Sequence, residues 1–361
     1  MAGTPVWVKD SQSSTVDRQS FVVQVSVGVA GVDYRPSTIH YSSMVFEHRE
    51  HPEFSWSQSR RATFRQCPRQ YYWQYYGAHN GWYDDADETA RLAYRLKKIS
   101  SFYEFLGGTI HELAADAIKG ARGGERPLMA EELYQIGRDR LNKAYAQSKR
   151  LKDWKRRPNR LTMFHDFYYG TGPSKDFIDR IRDRLRTCSE QLLESESYRE
   201  AVQAPFVEVK EIDRGPEFFT IDGHTIWAQP DLLYRTGDGE YHVVDWKTGQ
   251  ADETHALQLR TYGLYVQSRA DLEPRSIVGR LEYLLKGTGV AVPLGVPELE
   301  TEEREIRDSI AMMQKYLVDT STNEARPKEE FPLRDDVSDC RYCKYFELCE
   351  VEIEGAVAGP F

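Results

Sequence analysis

Hydrophobic residues alternate with polar ones, or run together briefly, in several short segments in the middle of the chain. These segments are rich in β-branched and aromatic residues, which predicts strands. They span residues 206–209, 218–221, 225–228, 232–234 and 241–244. Asp222-Gly223 and the run 236–239 supply turn residues between them. We interpret residues 225–234 as one continuous strand that the 236–239 turn folds back as a hairpin.

A helical period dominates on both sides of this strand-rich part. Residues 55 to about 200 are mainly helical in pattern, with Ser55 or Ser57 as candidate caps of the first helix. Beyond the hairpin the order is helix, strand and helix. The longest predicted elements cover residues 129–147, 175–199, 252–269, 277–284 and 299–317. Strands that alternate with helices predict an α/β layered domain.

Two aspartates flank the predicted hairpin and would meet at its open end. Asp231 and Asp245 are separated by 13 residues, and Lys247 follows closely. Carboxylates can hold a hard divalent cation on a phosphodiester, and a lysine can balance the charge that develops on the phosphate. We expect Asp231, Asp245 and the peptide carbonyl of Trp246 to bind Mg²⁺ or Mn²⁺, with Asp245 and Lys247 close to solvent. The alternative for so short a motif is a solvated strand edge.

Cysteines form a second group of candidate ligands. Three lie in a C-x2-C-x5-C run near the C-terminus, and a fourth precedes them by 273 positions; they are Cys340, Cys343, Cys349 and Cys67. Four thiolates can bind Zn²⁺ or a [4Fe-4S] cluster, and spacing alone does not decide between them. Cys188 is expected to be an ordinary helix residue.

The cellular compartment bears on this choice. The N-terminal residues show no signal-peptide pattern, and no stretch approaches the roughly 18 apolar residues of a membrane span. We therefore expect a cytoplasmic protein with no membrane contact, in which clustered thiols favour a metal over disulfides.

The net charge of −9 is unusual for a protein that binds nucleic acid. Phosphate contacts need only a local basic surface, however. Such a surface is predicted from a run that surrounds Trp154 and contains Lys149, Arg150, Lys152, Lys155, Arg156 and Arg157. A second region runs from Arg60 to Tyr76. Basic residues interleaved with aromatic ones suit binding of single strands, although a solvated face is the alternative.

Five blocks, taken in order, resemble the RecB-type branch of the PD-(D/E)XK nuclease superfamily over residues 55–349. The order and spacing are specific, although each block alone is common. The blocks are a serine-led helix with Cys67-Pro68, the segment Gly107 to His111, the Asp231 strand, the run Asp245-Trp246-Lys247-Thr248-Gly249, and the segment Gln258 to Tyr262. One departure is Gln229, which stands where the family often has glycine.

The resemblance implies roles for several residues. Asp231, Asp245 and Lys247 would be catalytic. The segment Gly107 to His111 would be the start of a helix, and His111 would reach the metal. Gln258 and Tyr262 lie four residues apart on one helix face, so both would reach the site. A buried imidazole and a polar cap are the alternatives for His111 and Gln258. The cysteine spacing resembles the iron-sulfur members, including AddB-type and CRISPR-associated nucleases, so a [4Fe-4S] staple is favoured over Zn²⁺.

The resemblance also implies an architecture and a function. The fold would be an α/β PD-(D/E)XK core, restriction-endonuclease-like, with a mixed central sheet, a helical insertion and a C-terminal iron-sulfur staple. The segments would be an extension at 1–53 with strand-like alternation at 21–29, a helical region at 54–200, the core at 201–325 and the cysteine segment at 326–361.

The expected activity is metal-dependent cleavage of DNA, as an exonuclease or on flaps and single-stranded ends. It would serve repair, recombination, CRISPR adaptation, phage replication or antiviral defence. The sequence has no phosphate-loop motif, so a helicase would be a separate partner. The alternatives are a catalytically silent subunit that binds DNA ends or assembles with a helicase, and a zinc-stapled interaction protein.

Overall fold

The computed structural model describes residues 48–204, 207–212, 217–269, 272 and 276–357. The predicted strand at residues 21–29 lies outside these ranges. In the described part of the chain no helix is long and apolar enough to cross a membrane.

Helices surround the strands on several sides. In chain order they are α1 (Gln58–Gln66), α2 (Pro68–Tyr72), α3 (Glu88–Lys97), α4 (Phe102–Arg122), α5 (Ala130–Ser148), α6 (Leu151–Arg156), α7 (His165–Tyr168), α8 (Lys175–Glu194), α9 (Glu196–Gln203), α10 (His255–Ser268), α11 (Val296–Gln314) and α12 (Phe346–Val357). A π-helical turn, Trp73–Gly77, continues α2. Ser57 caps α1, because its side chain accepts a hydrogen bond from the Arg60 backbone N–H. The predicted cap is therefore confirmed at one of its two candidates.

The strands form two main sheets. In chain order they are β1 (Ser55–Trp56), β2 (Ile99–Ser100), β3 (Met163–Phe164), β4 (Glu208–Ile212), β5 (Glu217–Ile221), β6 (His224–Ala228), β7 (Leu232–Arg235), β8 (Glu240–Lys247), β9 (Ser276–Tyr283), β10 (Thr288–Pro293), β11 (Leu317–Asp319) and β12 (Glu324–Ala325). The larger sheet has the order β10-β9-β8-β7-β4, and a smaller one has the order β1-β6-β5. The pair β8–β9 is parallel and the other pairs of the larger sheet are antiparallel, so this sheet is mixed.

Both faces of the larger sheet are covered. Leu233 and Val243 pack in a core with side chains of α10 and α11, whereas Leu232 and Val244 pack in a second core with side chains of α4, α5, α8 and α9. Because successive strand residues point to opposite faces, the apolar run of β8 serves two cores at once. The mixed α/β architecture expected from the sequence is thus observed.

The predicted hairpin is confirmed, but the long strand assigned to it is wrong. Strands β7 and β8 pair antiparallel from Leu232–Val244 to Arg235–Tyr241, across a turn that contains Gly239 at φ 93°. Residues 224–228 belong to the smaller sheet, where β6 pairs with β5 and β1. Pro230 lies between the two strands, and proline has no N–H to contribute to a sheet. This break places Asp231 at the start of β7.

Three other expectations change in detail. The predicted helix at 175–199 is two helices, because the chain is extended at Ser195, whose ψ is 143°. The Gly107 segment lies inside α4 and does not begin it, since the helix starts at Phe102 behind the Ser101 capping box. Strand β10 was not predicted from the sequence; its exposed, weakly apolar residues provide little alternation.

Candidate active site

The two aspartates meet one step beyond the last paired residues of the hairpin. Leu232 pairs with Val244, so Asp231 and Asp245 lie side by side where β7 begins and β8 ends. Asp231 Oδ2 accepts a hydrogen bond from the Trp246 backbone N–H at 2.8 Å, which fixes the first carboxylate to the second strand. Burial raises the pKa of Asp231, the charge of His111 opposes the rise, and the nearby Asp245 adds to it.

Asp245 is less accessible than expected. Its side chain is 1% exposed, so the prediction that it lies close to solvent is wrong. Lys247 Nζ lies 2.6 Å from Asp245 Oδ2, yet among the described residues this oxygen accepts no aligned hydrogen bond. A buried carboxylate oxygen normally has a partner, because leaving it without one is costly. The close partner of Asp245 Oδ2 is therefore the Lys247 ammonium, which approaches it as an ion pair.

A chain of hydrogen bonds runs from the lysine into α10. Lys247 Nζ donates to Gln258 Oε1 at 2.7 Å, and Gln258 Nε2 donates to the Tyr262 hydroxyl at 2.5 Å. Burial, followed by the charges of Asp245 and Asp231, raises the pKa of Tyr262 well above its ordinary value, so the phenol stays neutral. The structure thus brings Gln258 and Tyr262 to the aspartates. It supports a role for Gln258 in fixing the lysine.

His111 reaches the same site from α4. Its Nδ1 lies 3.2 Å from Asp231 Oδ1, and its Nε2 lies 2.8 Å from the Trp246 carbonyl oxygen. Burial lowers the pKa of His111, but the charges of Asp231 and Asp245 outweigh it and leave the pKa above its ordinary value. The name aspartate cluster is used below for Asp231, Asp245, Lys247 and His111.

The donor types suit a hard divalent cation. Two carboxylates and one peptide carbonyl are the kinds of oxygen ligand that Mg²⁺ or Mn²⁺ prefers, and the imidazole adds a nitrogen donor. Within the described ranges, however, no three His, Cys, Asp or Glu side chains are arranged to hold a metal ion. At this site both ring nitrogens of His111 face oxygens of Asp231 and Trp246. A cation at this position would take over oxygens that now bind the imidazole.

Sequence reasoning missed the residue that anchors Trp246. Glu282 of β9 is buried and accepts hydrogen bonds from Trp246 Nε1 at 2.7 Å and from the N–H and hydroxyl of Ser197 at 2.9 and 3.0 Å. These bonds hold the indole in place between α9 and the sheet. A charged residue inside an otherwise apolar strand was the available signal, because a buried charge needs partners.

The four predicted cysteine ligands share one region, named the cysteine cluster (Cys67, Cys340, Cys343 and Cys349). Three of them line a cavity of about 410 Å³. Burial raises the pKa of the thiol of Cys340, raises that of Cys343 to about 11 and raises that of Cys349 to about 12, and the nearby Cys67 adds to each rise. All five cysteines of the chain are free thiols, and Cys188 is buried in α8.

Protein contacts also join the two ends that carry these cysteines. The Arg69 backbone N–H donates to the Pro332 carbonyl at 3.1 Å, and Arg69 Nε donates to the Phe331 carbonyl at 2.8 Å. The Arg69 guanidinium also forms an ion pair with Glu352 of α12. Thiolates are ligands of [4Fe-4S] clusters and of Zn²⁺, but among the described residues no three of these cysteines are arranged to hold a metal ion.

The basic regions have different environments. The six basic residues predicted to bind DNA are exposed on α6 and next to it: Lys149, Arg150, Lys152, Lys155, Arg156 and Arg157. Trp154, between them, is fully buried and packs edge-on against Tyr168 with ring centroids 5.6 Å apart, so it is not available to contact DNA. In the second region Arg60, Arg61 and Arg69 are buried and cannot contact DNA, whereas Arg65 is exposed.

Comparison with known proteins identifies a family over most of the chain. A model of the PD-(D/E)XK nuclease superfamily matches residues 55–350, which include the aspartate cluster, α10 and the cysteine cluster. A search of curated proteins finds no significant match.

Proposed function

Since the chain belongs to the PD-(D/E)XK nuclease superfamily, we propose that it is a metal-dependent deoxyribonuclease whose active site is the aspartate cluster. The observation that carries this proposal is the buried Asp245 carboxylate, which lies beside Lys247 and has an oxygen without an aligned donor. Asp231, Asp245, His111 and the Trp246 carbonyl would hold Mg²⁺ or Mn²⁺. When bound, such a cation polarises the scissile phosphate and lowers the pKa of the attacking water.

The protein's own residues then have distinct tasks. Gln258 fixes the Lys247 ammonium, so that its charge faces the phosphate without rearrangement during the reaction. Tyr262, kept neutral, holds the Gln258 amide in one orientation. The Trp246 N–H orients Asp231, and Glu282 fixes the Trp246 indole from behind. Catalysis would therefore rest on groups whose positions are set before substrate binds.

We propose DNA with single-stranded ends as the substrate. The exposed lysines and arginines of α6 offer phosphate contacts. This basic surface offsets the negative net charge locally, which is what a polyanionic substrate requires. A separate groove of about 600 Å³ beside α4 is of mixed charge, because Glu104 and Glu112 line it as well as Lys143 and Arg160.

We further propose that the cysteine cluster binds a [4Fe-4S] cluster with a structural role, as in the iron-sulfur branch that the sequence resembles. Burial of the thiols beside Arg69 supports such a role, because a metal there would join α2 to the C-terminal segment. The chain would act in DNA repair, recombination or defence. A separate helicase would be its partner, since the sequence contains no phosphate-loop motif.

The test is cleavage of end-labelled single- and double-stranded DNA by anaerobically purified protein with Mg²⁺, Mn²⁺ or a chelator, beside Lys247→Ala. We expect cleavage that needs the metal and that the variant lacks. Cleavage retained in Lys247→Ala would place the active site elsewhere. Binding of DNA ends without cleavage under every condition would favour the silent subunit.

A further inference from the structure

A cleft of about 460 Å³ adjoins the aspartate cluster on the side of α10. Its walls come from the start of α1, the end of β6 and one face of α10, and they include Trp227, Gln258 and Tyr262. Gln258 is the residue that accepts a hydrogen bond from Lys247 Nζ at 2.7 Å. One hydrogen bond therefore separates the wall of this cleft from the lysine assigned to the scissile phosphate.

The lining of the cleft suits a nucleotide. Its volume falls within the ~300–1,000 Å³ that is usual for small-molecule sites. Among the described residues that line it, none is Asp or Glu, although the chain carries 57 acidic residues. The hydroxyls of Ser57, Ser59 and Thr254 are among the polar groups that line it instead. A phosphodiester chain can enter this cleft without meeting a carboxylate.

Trp227 is the large aromatic side chain that this cleft presents to solvent. It is 37% exposed, because Ile226 and Ala228 on either side of it point into the core and the period of two turns Trp227 outward. Phe218, 56% exposed, lies opposite Trp227 on β5, with ring centroids 5.5 Å apart and planes at 72°. The edge of Phe218 holds the indole, and part of the indole surface stays uncovered.

We propose that Trp227 stacks on an unpaired base next to the scissile phosphate, so that the cleft selects single-stranded over duplex DNA. An exposed aromatic ring can stack on any base, whereas a base inside a duplex already has neighbours on both faces. This inference rests on the proposed nuclease function and names the feature of the substrate that the site recognises. The alternative is that the Phe218–Trp227 pair only stabilises the hairpin of β5 and β6.

The first experiment measures binding of a short labelled oligo(dT) and of a blunt duplex, with chelator present so that nothing is cleaved. Trp227→Ala should weaken binding of oligo(dT) about tenfold and leave the duplex unchanged, in line with typical base-stacking effects. Trp227→Phe should recover most of the loss. Trp82→Ala is the matched control, since Trp82 is 43% exposed and does not line the cleft; it should bind both ligands like the wild type.

A second experiment separates stacking from a structural role. Abasic sites are placed one at a time along the oligonucleotide, and binding is measured for the wild type and for Trp227→Ala. Stacking predicts one position at which loss of the base weakens the wild type and has little effect on the variant. A pair that only stabilises the hairpin would lower the melting temperature without any such position.

The outcomes separate this inference from the proposed function. If the wild type cleaves DNA and Trp227→Ala binds oligo(dT) with wild-type affinity, base stacking is refuted and the nuclease stands. If Trp227→Ala weakens oligo(dT) and duplex equally, selection of single strands is refuted. If the wild type neither cleaves nor binds nucleic acid, the proposed function fails together with this inference.

Discussion

Apart from His111, the aspartate cluster is built from neighbours in the sequence, whereas the cysteine cluster joins the two ends of the described chain. Asp231 and Asp245 flank one hairpin, and strands β4 and β9 support it on both sides. Cys67 lies 273 positions before Cys340, and helices and loops alone bring them together. The first arrangement positions reactive groups with little dependence on the rest of the fold. The second one ties distant segments together, so we expect the two clusters to control activity and stability separately.

The largest expected effect is on cleavage by a variant of the aspartate cluster. Asp245→Asn keeps the shape of the side chain and removes the charge that would hold the metal, so cleavage should fall by about 10²–10³-fold or more. The melting temperature should change little, because the repulsion between Asp245 and Asp231 is lost together with the attraction between Asp245 and Lys247. Single-turnover cleavage and thermal unfolding measure the two effects. Asp238→Asn, in the exposed turn of the same hairpin, is the matched control and should cleave normally.

The expected separation of activity from stability would fail if Asp245→Asn unfolded the protein. In that case the buried pair of Asp245 with Lys247 would be a structural element, and the loss of cleavage would say nothing about catalysis. Retained metal-dependent cleavage in a folded Asp245→Asn protein would contradict the assignment of Asp245 as a ligand.

The opposite pattern is expected for the cysteine cluster. Cys343→Ala should lower the melting temperature by about 10 °C, since loss of a metal link costs several kcal/mol in a domain of this size. It should also remove the visible absorbance of an iron-sulfur cluster, while the folded fraction still cleaves. Cys188→Ala is the matched control, because Cys188 is buried in α8 and separate from the cluster. Its absorbance should match that of the wild type.

Two results would overturn this expectation. A colourless wild type with stoichiometric zinc would replace the iron-sulfur cluster by a zinc site with the same structural role. Equal melting temperatures of Cys343→Ala and the wild type would mean that the contacts of Arg69 with Phe331, Pro332 and Glu352 suffice to join the two ends.

The side of the fold that carries the aspartate cluster should show its own pH dependence of stability, through Glu302 of α11. Glu302 is fully buried; Gln58 Nε2 and Thr261 Oγ1 donate to its Oε1 at 2.6 and 3.2 Å, and Arg61 lies 3.5 Å away. Burial raises the pKa of Glu302 to about 7, Arg61 opposes the rise, and Glu305 adds to it. The folded protein therefore prefers the protonated acid.

The sign of the effect follows from this preference. A carboxyl whose pKa is higher in the folded protein stabilises it at low pH, and this stabilisation is lost as the pH rises from about 4.5 to about 7. The free energy of unfolding should fall by up to about 3 kcal/mol across this range, at ~1.4 kcal/mol per pKa unit. Glu302→Gln should flatten the profile measured by urea unfolding, and Glu305→Gln should keep most of it. An equal slope in Glu302→Gln and the wild type would contradict the role of Glu302.

The contrast between contacts that are local in the sequence and contacts between distant segments also explains which parts of the fold and of the candidate site could be predicted. The turns of both hairpins could be predicted because alternation and turn residues are local. Asp222 and Gly223, between β5 and β6, and Gly239, between β7 and β8, do adopt positive φ. His111 could be assigned only through the family resemblance, because it reaches the site from α4, 135 positions before Trp246. Glu282 was missed because its partner Ser197 lies 85 positions away.

The errors have one physical cause. The amino-acid sequence of a short helix or strand does not by itself show which of its faces is buried. Trp154 points into the core while its basic neighbours on α6 face solvent. Arg60 and Arg61 look like a basic surface in the sequence, yet Arg60 contacts the Tyr71 hydroxyl and Arg61 contacts Glu302 inside the fold. Tertiary packing decides these orientations, and local periodicity over such short helices does not reveal them.

The smallest expected effect tests whether the region of the cysteine cluster has any part in substrate binding. Helix α6 packs there through Trp154, which shares a core with Cys340 and Cys349. If its exposed lysines contact phosphates, the double variant Lys152→Gln, Lys155→Gln should bind oligo(dT) several-fold more weakly. Its slope of log affinity against log salt should fall by about 1.4, since each contact to a single strand contributes ~0.7.

The matched control for this charge change is the double variant Arg235→Gln, Lys210→Gln. It removes two positive charges from the paired strands β4 and β7, at one side of the larger sheet. Surface charges beyond a Debye length of ~10 Å are largely screened. A loss of net charge alone should therefore weaken binding of oligo(dT) only slightly, and by the same factor in both double variants. An equal loss would therefore mean that α6 is only a solvated face and that the cysteine region serves stability alone. A larger loss of affinity in the α6 variant would mean that the DNA extends from the aspartate cluster to the side of the fold that carries the cysteine cluster. Activity and stability would then be separate for catalysis, but the region that stabilises the fold would also bind substrate.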